Sequence, residues 1–285
     1  MQVAVIGLGR MGLAMARRLR DRGHAVRGWD LDGVRREEAE GCGITVAEEA
    51  AVGAEVVLLS LPDDAAVMAV GDRLAAAGPR SGGVVVDTST VSPATPRMLA
   101  PRFTALGLGW LDCPVSGGPS GAAEGRLVAM VGGEAEALAA ARPVLDGLAS
   151  RVVHVGPPGA GAVAKLANNL LLGANLLAAA EAVGLARRAG VDPARVLEAI
   201  NGASGRSAAT EVNLPRWILS GRFDSGFTCG LMRKDLHLAC AVAADIGLAE
   251  GLVLEAARLW FASPVPDAAD FNRVPAAVLE EAADA

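Results

Sequence analysis

Short, continuous apolar runs alternate with longer helical stretches through the first half of the chain. Continuous apolar runs are typical of strands that helices cover on both faces of a parallel sheet. The pattern predicts these strands: Val3–Ile6, Ala25–Trp29, Val56–Ser60, Val84–Asp87, Leu108–Asp112, Leu127–Val131 and Val152–Val155. It predicts these helices between them: Met11–Asp21, Asp64–Ala76, Pro93–Leu106 and Glu134–Leu148. We therefore expect parallel strands joined by helical crossovers.

The pattern changes after Gly156, where the turn-rich segment G-P-P-G-A-G-A marks a boundary. No strand is predicted beyond it. One long helix is predicted from Gly161 to about Arg188, and Asp192 is a candidate N-cap for the next helix. Further helices are predicted around Ala208–Ser220, Leu231–Ile246 and Ala249–Phe261. The sequence thus predicts an α/β domain over residues 1–160 and an all-helical domain over 161–285.

Composition and charge narrow the class of protein. Hydrophobic residues make up 52% of the 285 and charged residues 20%, which is enough for a core and excludes wholesale disorder. The net charge of −6 argues against a protein that binds nucleic acid or anionic membrane. The chain enters an apolar strand at once, so we expect no targeting segment, and polar side chains interrupt the apolar stretch 160–186. We expect a cytoplasmic protein with no membrane span.

Three residue types limit the chemistry. The four cysteines are far apart and form no C-x-x-C pair, so neither a disulfide scaffold nor a zinc site is expected. Only three histidines are present, and a multi-histidine metal centre would need all of them. Tyrosine is absent, which excludes a tyrosine acid or base. We expect a mechanism without a metal.

The first predicted strand runs into a G-x-G-x-x-G motif, Gly7-Leu8-Gly9-Arg10-Met11-Gly12. Alone this motif is weak in a chain with 35 glycines, but here it follows a strand and opens a helix. The first glycine permits a tight turn, the second allows the backbone to approach a pyrophosphate, and the third allows close helix–strand packing. The pattern predicts a Rossmann dinucleotide-binding domain.

Asp30 ends the second predicted strand, where an acidic side chain can accept hydrogen bonds from the adenosine ribose and repel a 2′-phosphate. This position favours NAD over NADP. Arg35 and Arg36 on the following helix leave NADP open, because they could reach a 2′-phosphate; a solvated helix face is the alternative interpretation of these two arginines.

Three further segments carry candidate chemistry. Ser116-Gly117-Gly118 offers a hydroxyl and backbone N–H groups that a carboxylate could approach. Lys165 and Asn169 are four residues apart, so they share one face of the long helix. A lysine in an apolar stretch is hard to explain structurally, and burial suits it to proton transfer because it disfavours the charged form. Lys234 and Asp235 could be no more than an exposed charge pair.

Six segments together resemble the β-hydroxyacid dehydrogenases, the group of 3-hydroxyisobutyrate dehydrogenases and tartronate semialdehyde reductases. In chain order they are GLGRMGLAMARRL, LPDDAAV, DTSTVSP, DCPVSGGPSGAAEGRLVAMVGG, GAGAVAKLANN and GLMRKDLHLA. The resemblance runs from residue 2 to about residue 250 and is weak after Trp260. It implies a Rossmann domain and an all-α domain that are joined by the long helix, and a homodimer or homotetramer.

The resemblance also implies roles for individual residues. Gly7, Leu8, Gly9, Arg10, Met11 and Gly12 would hold the pyrophosphate and Asp30 the ribose. Leu61, Pro62 and Thr90 would line the nicotinamide side, and Lys234 would close over cofactor and substrate. Ser116, Gly117 and Gly118 would bind the substrate carboxylate, with Lys165 as the catalytic lysine and Asn169 as its partner. Asn168 stands where 6-phosphogluconate dehydrogenases have a histidine, which points away from that branch.

The expected reaction is hydride transfer between a nicotinamide cofactor and a small 3-hydroxy acid, with Lys165 moving the hydroxyl proton. Two alternatives remain open at this point. The same site could reduce a small semialdehyde acid, such as tartronate or succinic semialdehyde. A non-catalytic dinucleotide-binding sensor is the other alternative, although the presence of Lys165 and Asn169 argues against it.

Overall fold

The computed structural model describes residues 1–77, 79 and 81–284. It contains two compact units, Met1–Lys165 and Leu166–Ala285. The division falls within one helix, α7 (Ala160–Arg188), which also carries the domain boundary predicted between residues 160 and 161.

In the described part of the first unit, nine strands form one sheet. They are β1 (Gln2–Ile6), β2 (Ala25–Trp29), β3 (Thr45–Val46), β4 (Val56–Leu59), β5 (Val84–Asp87), β6 (Gly109–Asp112), β7 (Val115–Ser116), β8 (Leu127–Gly133) and β9 (Ala149–Gly156). The strand order is β3-β2-β1-β4-β5-β6-β8-β7, and β9 pairs with β8. The parallel part, 3-2-1-4-5-6, is the order of a Rossmann fold, so the predicted fold class is confirmed.

The expectation of an entirely parallel sheet is wrong at β8, which runs antiparallel to β6 and β7. The connection from β7 to β8 is little longer than the seven-residue helix α5 (Gly118–Glu124). That is too short for a parallel crossover, which needs roughly a dozen residues or more. The following strand, β9, is again parallel to β8.

The other helices of the first unit are α1 (Arg10–Asp21), α2 (Gly33–Gly41), α3 (Asp64–Ala77), α4 (Ala94–Ala105) and α6 (Ala135–Leu148). Their apolar faces pack on the sheet in two clusters of buried side chains, one around Val5, Leu58 and Leu111 and the other around Val57, Val85 and Phe103. The elements α2, β3, β7 and α5 were not predicted, because each is short or lacks a periodic apolar pattern.

In the described residues of the second unit, the regular secondary structure is helical, apart from one isolated β-bridge between Thr228 and Asp270. After α7 come α8 (Pro193–Asn201), a π-helical segment (Ala209–Ile218), α9 (Cys229–Asp245), α10 (Leu252–Ala262) and α11 (Arg273–Asp284). The helix predicted from Ala249 begins later, because Gly251 adopts φ +147° just before Leu252.

The core of the second unit surrounds Trp260, whose side chain is fully buried and whose indole N–H donates a 3.1 Å hydrogen bond to the carbonyl of Gly173. The tail beyond Trp260 contributes to this core through Phe271, Val274 and Leu279. The tail resembles the family only weakly, but it is nevertheless packed into the core of the second unit.

Candidate active site

The carboxyl ends of β1, β4, β5 and β6 lie at one edge of the sheet, because these strands are parallel neighbours. Each strand leads there into a predicted site segment: the glycine-rich loop, Leu61 and Pro62, Thr90, and the segment that reaches Ser116. This edge is where open α/β sheets bind their ligands. The fold thus brings four of the predicted segments to one edge within the first unit.

The glycine-rich loop has the shape that a pyrophosphate needs. Gly7 has φ +92°, and a β-carbon at this position would overlap the carbonyl oxygen of Ser60. A β-carbon on Gly12 would overlap the carbonyl oxygen of Gly7, so the helix start packs directly on the loop. Gly9 faces only the flexible end of the Arg35 side chain, and no side chain caps the N-terminus of α1. The loop and the helix dipole therefore fit a dinucleotide phosphate.

Asp30 is part of the same loop structure. Its Oδ2 accepts a hydrogen bond of 2.7 Å from the backbone N–H of Leu8, and its Oδ1 accepts one of 2.9 Å from Asp32. The carboxylate is half-buried, and each of its oxygens has a further lone pair for a ribose hydroxyl. Asp30 therefore ties the end of β2 to the glycine-rich loop.

Arg35 and Arg36 differ in how they are held. Arg36 donates from Nη1 to the carbonyls of Asp30 and Leu31 at 2.8 and 2.9 Å, and its guanidinium stacks 4.7 Å from the Trp29 ring centre. Arg35 forms an ion pair of 3.5 Å with Asp32, and both side chains are about half exposed. Arg36 is thus held by backbone carbonyls around Asp30. Arg35 is held by a half-exposed ion pair, so it is the cation of the two that can move more easily.

The loops after β4 and β5 are joined by two side chains that sequence reasoning missed. Ser89 Oγ accepts a 2.9 Å hydrogen bond from the backbone N–H of Leu61. Asp64 Oδ1 accepts from the N–H of Ser92 at 2.9 Å and from the Thr95 hydroxyl at 2.5 Å. These bonds connect the loop that contains Leu61 and Pro62 to the loop that contains Thr90.

Asp87, at the end of β5, holds the backbone of Ser89 in place. It is only 1% exposed, and its Oδ1 accepts a 3.0 Å hydrogen bond from the N–H of Ser89. Its pKa is raised to about 7, chiefly by burial and to a smaller extent by the nearby carboxyls of Asp112 and Asp64, while the hydrogen bonds from Ser89 oppose the rise.

The predicted carboxylate loop follows β7, which is the last strand in the strand order of the sheet. Ser116 is the second residue of β7 and pairs with Val128 of β8. Gly117 and Gly118 are exposed and adopt φ +128° and +65°, a region that favours glycine. A β-carbon on Gly117 would lie 3.1 Å from a methyl carbon of Leu127, whereas Gly118 faces open space. The loop therefore offers backbone that a ligand can approach.

Lys165 lies in the second turn of α7 and is only 9% exposed. The start of α7 is held by Asp112, the last residue of β6, which is 1% exposed. The N–H groups of Gly159 and Ala162 donate to Asp112 Oδ1 and Oδ2 at 2.8 and 2.9 Å. Burial raises the pKa of Asp112, and these two hydrogen bonds oppose that rise. The sequence pattern identified Lys165 but not Asp112, whose partners lie far along the chain.

Asn169 lies one turn beyond Lys165 on α7, within the second unit. Its side-chain amide donates 2.6 Å to Oδ2 of Asp235 on α9, and its Oδ1 accepts 3.0 Å from Asn168. The other carboxylate oxygen of Asp235 lies 3.0 Å from Nζ of Lys234. Asp235 is buried, so the interpretation of Lys234 and Asp235 as an exposed charge pair is wrong. The structure thus brings Asn169 and Lys234 together around a residue that had no predicted role.

The remaining histidine and metal candidates lie outside this arrangement. His237 is exposed, its ring centre lies 3.9 Å from that of Phe261, and its Nδ1 lies 2.8 Å from the Arg233 carbonyl. Within residues 1–77, 79 and 81–284, no three His, Cys, Asp or Glu side chains form a group that could hold a metal ion. The four cysteines are free thiols.

The comparisons with known proteins agree with this geometry. Residues 2–156 match the family described as the NAD binding domain of 6-phosphogluconate dehydrogenase. Residues 159–270 match the family described as NAD-binding of NADP-dependent 3-hydroxyisobutyrate dehydrogenase. The two matches meet at the start of α7.

Individual relatives cover most of the chain. It is 39% identical to 3-hydroxyisobutyrate dehydrogenase of Pseudomonas aeruginosa over 85% of both chains. It is 38% identical to NAD-dependent L-serine dehydrogenase of the same organism over 84% of both. The solved structure of Mycobacterium tuberculosis 3-hydroxyisobutyrate dehydrogenase with L-serine superposes with a TM-score of 0.89 at 35% identity, covering 97% of this chain and 98% of that one. The chain therefore belongs to the β-hydroxyacid dehydrogenase family and is an NAD(P)-dependent oxidoreductase of hydroxy acids.

Proposed function

We propose that this enzyme oxidises a small 3-hydroxy acid of the 3-hydroxyisobutyrate type, with Lys165 as the proton-transfer group. The observation that carries the proposal is the burial of Lys165, which is 9% exposed in an apolar stretch of α7. Composition supports it: 24 of the 26 basic residues are arginine, and Lys165 and Lys234 are the two lysines. Because arginine stays protonated, only lysine can release and accept a proton at this position.

Substrate binding, proton transfer and substrate orientation are carried out by different residues of the site. Ser116, with the backbone of Gly117 and Gly118, binds the substrate carboxylate through the hydroxyl and nearby N–H groups. Lys165, in its neutral form, takes the proton of the substrate hydroxyl as the carbonyl forms, and returns it in the reverse direction. Asn169 holds the substrate oxygen in line, and its own orientation is fixed by Asp235 at 2.6 Å.

The dinucleotide is held by the other predicted residues. Gly7, Leu8, Gly9, Arg10, Met11 and Gly12 bind the pyrophosphate, and Leu61, Pro62, Thr90 and Lys234 contact the nicotinamide end. When bound, the nicotinamide ring supplies the hydride acceptor or donor. Asp30 makes NAD the preferred cofactor, because its carboxylate accepts from ribose hydroxyls and repels a 2′-phosphate. Arg36 is held by backbone carbonyls, which leaves Arg35 as the cation that would meet NADP.

Two further types of substrate are candidates for the same site. L-Serine is itself a 3-hydroxy acid, and a relative that is 38% identical is named an NAD-dependent L-serine dehydrogenase. A small semialdehyde acid would use the same groups in the reducing direction, with Lys165 donating the proton. The family relationship favours an enzyme over a non-catalytic sensor.

We also propose a homodimer or homotetramer that works in the cytoplasm. The helix α7 is long and apolar enough to pass a length-and-composition test for a membrane span, but a single such helix is weak evidence for one, and 44% of its apolar window is buried in the protein. Leu171 and Leu185 remain 54% and 71% exposed on it, which supports a subunit contact. Light scattering at micromolar concentration tests this assembly.

The function is tested by initial rates on a panel of acids. We expect NAD-linked oxidation of 3-hydroxyisobutyrate, L-serine or another 3-hydroxy acid at rates well above those of 2-hydroxy acids and of alcohols without a carboxylate. NADH-linked reduction of tartronate and succinic semialdehydes should be measured in parallel. Equal rates on a carboxylate-free alcohol would contradict the proposal.

A further inference from the structure

Asp112 joins the start of α7 to the end of β6, and both of its carboxylate oxygens take part. Oδ1 accepts from the N–H of Gly159 and Oδ2 from that of Ala162, at 2.8 and 2.9 Å, and the side chain is 1% exposed. Hydrogen bonds from N–H groups to a buried carboxylate are among the stronger ones in proteins, so this helix start is firmly held.

Two glycines bring the same helix start into backbone contact with the sheet. A β-carbon on Gly132 of β8 would lie 2.6 and 2.7 Å from the Asp112 carboxylate oxygens. A β-carbon on Gly161 would overlap the carbonyl oxygen of Met130 and lie 2.5 Å from that of Asp112. The atoms nearest Gly132 also include the backbone nitrogen of Gly161, so a side chain at either glycine would displace the first turn of α7 from β6 and β8.

The contact between Asp112 and the start of α7 lies close along the chain to both Ser116 and Lys165. All of these residues belong to the first unit. Along the chain, Asp112 is followed by Cys113, Pro114 and Val115 and then by Ser116 of the carboxylate loop. Along α7, Ala162 precedes Lys165 by about one turn, a rise of about 4.5 Å. Asp112 therefore connects the segment that leads to Ser116 with the helix that carries Lys165.

We propose that Asp112 is a positioning residue that holds Lys165 at the distance from the Ser116 loop that proton transfer requires. The proposal rests on the proposed function of Lys165 and Ser116. A displacement of about 1 Å in such a group can cost about 10²-fold in rate. Asp112 need not touch the substrate to have this effect.

A double-mutant cycle tests the proposal on the full-length enzyme. Asp112→Asn keeps the shape of the side chain but turns one acceptor into an NH₂ group that faces a backbone N–H. We expect kcat to fall about 10- to 100-fold, with little change in dinucleotide affinity. In the Lys165→Ala background the same substitution should cause no further loss, because the group that it misplaces is already absent.

Asp192→Ala is the matched control, because Asp192 likewise accepts from a backbone N–H at a helix start, that of Ala194 at 3.0 Å, but caps α8 outside the proposed site. It should lower Tm slightly and leave kcat unchanged. If Asp112→Asn does not fold, Gly161→Ala displaces the same helix turn and should show the same loss of kcat; wild-type turnover in that variant would overturn the proposal.

The failures of the two proposals look different. Near wild-type turnover of Lys165→Ala would contradict the proposed function itself. A large loss in Lys165→Ala, combined with an unchanged kcat in Asp112→Asn or with losses that multiply in the double mutant, would contradict only the positioning role.

Discussion

The side-chain amide of Asn169 donates a 2.6 Å hydrogen bond to Oδ2 of Asp235, and both residues are buried. The second oxygen of Asp235 lies 3.0 Å from Nζ of Lys234. A buried carboxylate needs such partners, because an unpaired charge in the protein interior is costly. Asp235 therefore links the two second-unit residues to which the proposed function assigns substrate and cofactor contacts.

Removing the Asp235 carboxylate should destabilise the protein. Asp235→Ala should lower the free energy of unfolding by about 2–3 kcal/mol, because it removes a charge-assisted hydrogen bond from a buried amide. Urea unfolding measures this loss. Asp245→Ala, at the exposed end of the same helix, is the control and should stay within about 0.5 kcal/mol of wild type. Equal stability of the two variants would show that the Asn169–Asp235 bond contributes little.

The cofactor preference should depend on Asp30. We expect wild-type kcat/KM to be about tenfold to a hundredfold higher with NAD than with NADP. Asp30→Ala should reduce that ratio, and it should also raise KM for both dinucleotides because the bond to the Leu8 N–H is lost. Glu40→Ala removes an exposed carboxylate near the C-terminal end of α2 and should leave the ratio unchanged. A wild-type preference for NADP would overturn the assignment.

The carboxylate loop should act mainly on substrate binding. Ser116→Ala should raise KM for a 3-hydroxy acid more than it lowers kcat, because this contact exists in both the ground state and the transition state. Gly117→Val should be worse, since φ +128° strains a branched residue and its side chain would approach Leu127. Steady-state kinetics with each variant separate KM from kcat. An unchanged KM for every acid tested in Ser116→Ala would show that the carboxylate binds elsewhere.

Asp87 should make stability depend on pH. Its pKa is raised by burial from 3.8 to about 7, so the folded state holds a proton that the unfolded state releases between these values. The stability associated with this group is fully present below about pH 4 and is lost as pH rises through about 7. Asp87→Asn, which keeps the acceptor for the Ser89 N–H, should remove up to about 1.4 kcal/mol per pH unit from the slope of unfolding free energy against pH. Parallel slopes in the two proteins, measured by urea unfolding from pH 4.5 to 7.5, would contradict the raised pKa.

The sequence alone was sufficient for the features that depend on local pattern. Continuous apolar runs located the parallel strands, and the glycine spacing with Asp30 located the dinucleotide loop. What it missed depends on distant pairing: Asp112 meets Ala162 across 50 positions and Asn169 meets Asp235 across 66. The antiparallel β8 was missed because its direction follows from the length of the connection after Ser116, not from its own residues. Buried polar side chains were therefore the hardest part of the site to predict.

The pH dependence of catalysis distinguishes Lys165 from other bases. Alcohol oxidation should require one deprotonated group, and that limb of the kcat profile should disappear in Lys165→Ala. Lys165→Arg should restore little activity, because arginine keeps its proton. Recovery of the wild-type profile in Lys165→Arg would show that the position needs only a positive charge.

The turnover of Lys165→Ala tests the central claim most directly. Loss of a general acid or base costs about 10²–10⁴ in rate, so kcat for oxidation of the best 3-hydroxy acid should fall by that factor. The variant should still bind dinucleotide, because the glycine-rich loop and Asp30 are untouched. A folded Lys165→Ala enzyme that binds NAD and turns over at nearly the wild-type rate would contradict the account.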